Sequence, residues 1–199
     1  MVEEFNIMIA GVGGQGVILM SELLGNAAVT DGLQVRGSEV LGMAVRGGAV
    51  SSTIRIGNGV FGPLTPTGKC DILVGMEPAE ALRNVSFLSP SSMVIVNTEV
   101  VVPFTVSLGQ SSYPPLERIL EELTGVSGKV ITLKAVEIAR EAGSHQSANI
   151  VVLGAIFGTG RLPISIETIK EGIQSRFSAK LAPINLKAFD LGYQVTAGA

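Results

Sequence analysis

Gly11, Gly13 and Gly16 stand in the G-x-G-x-x-G spacing. An apolar run at 5–10 leads into them, and a helical apolar pattern follows at Val17, Met20, Leu23, Leu24, Ala27 and Ala28. Strand, glycine turn and helix in that order let backbone N–H groups at a helix start face an anion at close range. Gly14 and Gln15 complete the turn and share that expectation. The same turn also packs a helix tightly on a sheet with no ligand present. It therefore defines a fold more firmly than a function.

A second glycine-rich segment, 38–48, reads Ser-Glu-Val-Leu-Gly-Met-Ala-Val-Arg-Gly-Gly. Glu39 lies about twenty residues beyond the turn, where dinucleotide folds place a ribose-binding carboxylate. Arg46 is a natural clamp for an anion or carboxylate, because guanidinium is planar and permanently charged. Gly47 and Gly48 let the backbone approach whatever Arg46 contacts. Two readings stay open: Glu39 and Arg46 touch a ligand, or they pair with each other and pin a loop.

Other reactive groups are few. Glu77 precedes Pro78 at an expected strand end, where it serves a site or starts a helix; the helix start is favoured. His145, the one histidine, falls in a turn between helices and reads as a surface or capping residue. Cys70 is the one cysteine, so there is no intrachain disulfide framework and no iron–sulfur cluster held by this chain alone. Zinc held by His and Cys is equally disfavoured, and we expect no metal here. Ser51, Ser52, Ser111 and Ser112 have no assignable His and Asp partners. Asn149 and Asn185 are expected to cap or bridge backbone in apolar helices.

The elements that must position these groups alternate between strand-like and helix-like, which favours an α/β fold. Strands are expected at 5–10, 33–37, 50–56, 72–75, 93–96 and 130–133. Helices are expected at 78–82, 115–123, 135–142, 148–157, 166–177 and 186–193, with a frayed tail from 196. The Ser-, Pro- and Gly-rich stretch 102–115 is a candidate mobile or interface loop. The predicted architecture is Rossmann-like: a mostly parallel sheet flanked by helices, in one domain over 1–199.

Composition narrows the partners. Charged residues make up 16% of the 199 residues, below the 25% or so usual in soluble domains, so we expect apolar surface to meet partner chains. A net charge of −3 gives no electrostatic reason for nucleic acid or an anionic membrane. No apolar run reaches the roughly 18 residues of a membrane span. The start, Met-Val-Glu-Glu, lacks the basic residues of a secretory signal, and we expect an untrimmed cytoplasmic chain.

Taken in order, the motifs resemble the gamma-type subunit of 2-oxoacid:ferredoxin oxidoreductases, most of all the small (beta) subunit of the indolepyruvate type. The resemblance rests on 11–16, on Ser38-Glu39-Val40 with Gly42-Met43-Ala44 and Arg46-Gly47-Gly48, and on Asp71–Gly75 with Glu77-Pro78 and Glu80–Arg83. It continues through Ala148–Ala155 and closes on Asn185–Phe189 and Gly192-Tyr193. The family often has His after Glu-Val and Gln before Arg; Leu41 and Val45 stand there instead. That change bears on the substrate branch more than on the family.

The resemblance implies oxidative decarboxylation of a 2-oxoacid with coenzyme A, yielding acyl-CoA, carbon dioxide and reduced ferredoxin. It implies thiamine diphosphate, magnesium and iron–sulfur clusters in a larger partner subunit, with ferredoxin reached through the complex and a second copy of this chain as a candidate partner. No Gly-Asp-Gly with downstream paired Asn is present, so the thiamine chemistry is expected elsewhere. This chain would complete or buttress the active site or help hold CoA, with 11–16, Glu39, Arg46, Gly47 and Gly48 facing it. Two competing readings are a free-standing NAD(P)- or FAD-dependent oxidoreductase and a purely structural oligomerisation module.

Overall fold

A computed structural model describes residues 2–42, 44 and 47–198. Among these, six strands form one sheet: β1 (Phe5–Val12), β2 (Val35–Leu41), β3 (Ala49–Ile56), β4 (Ile72–Gly75), β5 (Met93–Asn97) and β6 (Lys129–Leu133). The order across the sheet is β2-β3-β1-β4-β5-β6. β1, β4, β5 and β6 pair parallel, whereas β3 pairs antiparallel with both β1 and β2. β3 runs against the rest, so the sheet is mostly parallel as expected.

The α-helices that flank it are α1 (Val17–Thr30), α2 (Pro78–Arg83), α3 (Phe104–Ser107), α4 (Leu116–Val126), α5 (Ala135–Ala142), α6 (Ala148–Gly158), α7 (Ile166–Arg176) and α8 (Ala182–Thr196). The larger core lies on the face of α1 and α5–α8. There Ile7, Ile9, Ile54, Ile72, Val74 and Ile95 share one cluster with Met20, Leu24, Leu153 and Phe189. The smaller core lies on the face of α2 and α4, built from Met8, Leu73, Ala81, Val94, Ile119 and Leu123. The helices that follow β1 and β4 thus sit on opposite faces. Neighbouring strands whose helices diverge leave a crevice at their C-terminal ends.

Local chemistry explains the borders. α1 starts at Gly16, whose φ of 80° suits glycine and which offers no capping side chain. Glu77 caps α2, accepting from the Glu80 N–H at 3.1 Å, with Pro78 at the first helical position. α6 is buried along nearly its whole length and packs closely on α8. A Cβ at Gly154 would run into the Phe189 carbonyl, and one at Gly192 into the Val151 carbonyl.

Three expectations are corrected. The second strand is 35–41 rather than 33–37, so Ser38 and Glu39 belong to an edge strand and not to a loop. Its polar, exposed residues disguise a strand, because a sheet edge open to water needs no apolar alternation. The last helix begins at Ala182, with Pro183 in its first turn, and runs to Thr196. Thr196 is fully buried and donates to the Ala155 carbonyl at 2.7 Å, so fraying does not begin there. Apart from these corrections, the stretch 102–115 contains the single-turn helix α3 and leaves Phe104 and Leu108 exposed.

Candidate functional site

The two glycine-rich segments meet. Gly13 N–H donates to the Gly48 carbonyl at 2.9 Å, and Gly47 N–H donates to the Gly13 carbonyl at 3.3 Å. The β2–β3 hairpin brings them together: β3 runs back along β1 with Val12 opposite Ala49. Antiparallel pairing therefore places the hairpin tip beside the turn, where a parallel second strand would not.

Inside the turn, Gln15 folds back on the protein. Its Oε1 accepts from Val12 N–H at 2.8 Å and its Nε2 donates to the Met76 carbonyl at 2.9 Å. Gly11 is needed beneath it, since a Cβ there would lie 2.7 Å from Gln15 Oε1 and 2.8 Å from Met76 Cβ. Gly14 (φ 100°) and Gly16 (φ 80°) take backbone conformations that other residues resist. The first turn of α1 holds no acidic residue and no capping side chain. Its leading N–H groups are left for water or a ligand.

Gly14 stands between two pockets. One, about 490 Å³, is mostly apolar and is lined by Val12, Gly13, Val17, Ile18, Leu41 and Val50 among others. The other, about 460 Å³, is more polar, with Gln15, Asn97, Glu99, His145, Gln146 and Asn149 around it. It opens at the C-terminal ends of β1, β4 and β5, in the crevice that the divergent helices create.

The remaining expected residues fall as follows. Glu39 is exposed on β2 opposite Ser52 and lies outside both pocket linings. Arg46, like Met43 and Val45, lies outside the described residues. Leu41 is exposed and forms part of the apolar wall. His145 stands at the start of a 3-10 turn, His145–Ser147, on the rim of the polar pocket. Glu77 is buried and held by two donors, the Glu80 N–H and the Tyr113 hydroxyl at 2.5 Å. Burial first, and then Glu77, drives the Tyr113 pKa well above its usual value. Burial also raises the Glu80 carboxyl, against the pull of its ion pair with Arg83 at 3.1 Å.

Asn97 lines the polar pocket, and the sequence motifs do not single it out. It ends the apolar run Met-Val-Ile-Val-Asn, and a polar residue closing a buried parallel strand is the available signal. Cys70 is buried, and desolvation, followed by Asp71, pushes its thiol up to about 12. Among the described residues, no three His, Cys, Asp or Glu side chains group as metal ligands, and no helix is long and apolar enough to cross a membrane.

This glycine-turn α/β fold has clear relatives. The family described as pyruvate ferredoxin/flavodoxin oxidoreductase matches residues 6–195. Indolepyruvate oxidoreductase subunit IorB of Archaeoglobus fulgidus is 43% identical over 94% of this chain and 93% of its own. The same subunit of Pyrococcus horikoshii is 42% identical over 96% and 95%. The gamma subunit of a keto/oxoacid ferredoxin oxidoreductase from Geobacter sulfurreducens superposes with a TM-score of 0.69 at 26% identity, covering 98% of this chain and 99% of that one. The chain belongs to the pyruvate ferredoxin/flavodoxin oxidoreductase family. Within it, the chain is a small subunit of 2-oxoacid:ferredoxin oxidoreductase complexes.

Proposed function

We propose that this chain is the non-cluster small subunit of an arylpyruvate-type oxidoreductase and that its glycine turn and hairpin tip complete an active site built mainly by a larger subunit. The partner carries thiamine diphosphate, magnesium and the iron–sulfur clusters, and passes electrons to ferredoxin in the cytoplasm. Gly13, Gly14 and Gly16 shape a turn whose α1 N–H groups hold the diphosphate of coenzyme A. Gly47 and Gly48 flank the turn from the hairpin side, Arg46 contributes its permanent charge to the same anion, and Glu39 faces the larger subunit from the β2 edge.

One observation carries this reading: the turn and the hairpin tip are hydrogen-bonded to each other at Gly13, beside a helix start with no acidic or capping side chain. That donor set fits an anion. CoA supplies the thiol that accepts the acyl group; this chain's residues bind and orient it. The 40–43% identity to indolepyruvate subunits supports the arylpyruvate branch, as does the apolar wall that Leu41 adds.

Co-expression with the larger subunit tests the reading. In the assembled complex, CoA should slow amide exchange across 11–18 and 42–48. Unchanged exchange in both segments would overturn the placement of CoA.

A further inference from the structure

Met76 is the hub of a hydrogen-bonded row along the C-terminal edge of the sheet. Its N–H donates to the Ala10 carbonyl at 2.7 Å. Its carbonyl accepts twice, from Gln15 Nε2 at 2.9 Å and from Asn97 Nδ2 at 3.1 Å. Each amide then uses its oxygen on a backbone donor: Gln15 Oε1 on Val12 N–H at 2.8 Å, and Asn97 Oδ1 on Ala135 N–H at 3.0 Å. Asn97 Nδ2 also reaches Glu99 Oε2 at 3.4 Å. The row runs from the end of β1 across β4 and β5 to the first residue of α5.

The residue types follow from the geometry. Each position needs a donor toward a carbonyl and an acceptor toward an N–H on the same short side chain. An amide supplies both; a carboxylate lacks the donor. The two fixed backbone partners also settle which way each amide faces.

We propose that Gln15 and Asn97 are positioning residues for the glycine turn. Through the shared Met76 carbonyl they set the height and tilt of the turn against the sheet edge. The α1 N–H groups then meet the ligand already in place rather than being ordered by it. Preorganisation of this kind acts on ligand affinity, because less ordering is left to occur on binding. The inference rests on the reading that the turn faces CoA.

The test uses the assembled complex with CoA titrated at saturating 2-oxoacid. Gln15→Met keeps length and volume at a half-buried site, so the fold is expected to survive it. Asn97→Asp keeps the acceptor for Ala135 N–H and removes the donor to Met76. Each should raise KM for CoA about tenfold while kcat changes less than about twofold. The double variant should be little worse than the worse single, because both act on one carbonyl. A wild-type KM in Gln15→Met overturns the proposal even if Asn97→Asp fails to assemble. If CoA protects 11–18 in the wild-type complex yet KM stays unchanged in the variant, positioning alone is wrong. If CoA gives no protection, the underlying reading falls and the positioning role falls with it.

Discussion

Gly13 and Gly48 lie 35 positions apart in sequence yet share a backbone hydrogen bond of 2.9 Å, so the glycine turn and the hairpin tip form one surface. Gly48 has little room: a Cβ there would lie 2.7 Å from the Ala44 carbonyl oxygen. Gly48→Ala should therefore shift the tip. We expect activity of the assembled complex to fall about tenfold while the thermal midpoint moves little, because this tip is peripheral to both cores. Steady-state kinetics beside a melting curve checks it.

Tyr113→Phe should destabilise the fold. It strips one of two donors from the buried Glu77 carboxylate, which costs about 1–3 kcal/mol. For a chain of this length that is a fall in Tm of several degrees. The Tyr113 pKa is raised in the folded state. Its contribution is therefore complete below the unfolded tyrosine value near 10 and is lost as pH climbs toward the folded one. Wild type should weaken above about pH 10, and Tyr113→Phe should lose that component. Denaturant unfolding across this alkaline range measures both.

Arg55→Met should destabilise by about 2–4 kcal/mol. The buried guanidinium donates to Asn6 Oδ1 at 2.8 Å, to Glu4 Oε1 at 2.7 Å and to the Gly62 and Leu64 carbonyls, stitching the 57–71 connection over β3. Hydrogen bonds from Asn6 and then Arg55 lower the Glu4 pKa. That contribution is present above the ordinary glutamate value, about 4.3, and fades as pH falls through the folded value. Acid unfolding should begin at higher pH in the variant.

Local pattern makes much of this architecture legible. The β1–turn–α1 unit follows from adjacent residues, and α5 spans the expected 135–142. The β2–β3 hairpin does not follow. Alternation on β3 fits either strand direction, and Ser38-Glu39 on an exposed edge looks like a loop. Gln15 is recognisable as part of a site, but its partner Met76 lies 61 positions away, so ligand contact and internal clamp look identical in sequence. Asn97 stays hidden because its role depends on how β5 sits between β4 and β6.

The most direct measurement of the central claim is 2-oxoacid oxidation by the purified chain, alone and after reconstitution with its larger thiamine- and cluster-bearing subunit. We expect no CoA-dependent turnover from the chain alone and full ferredoxin reduction once the partner is added. Turnover by the isolated chain, with no second protein present, would contradict it.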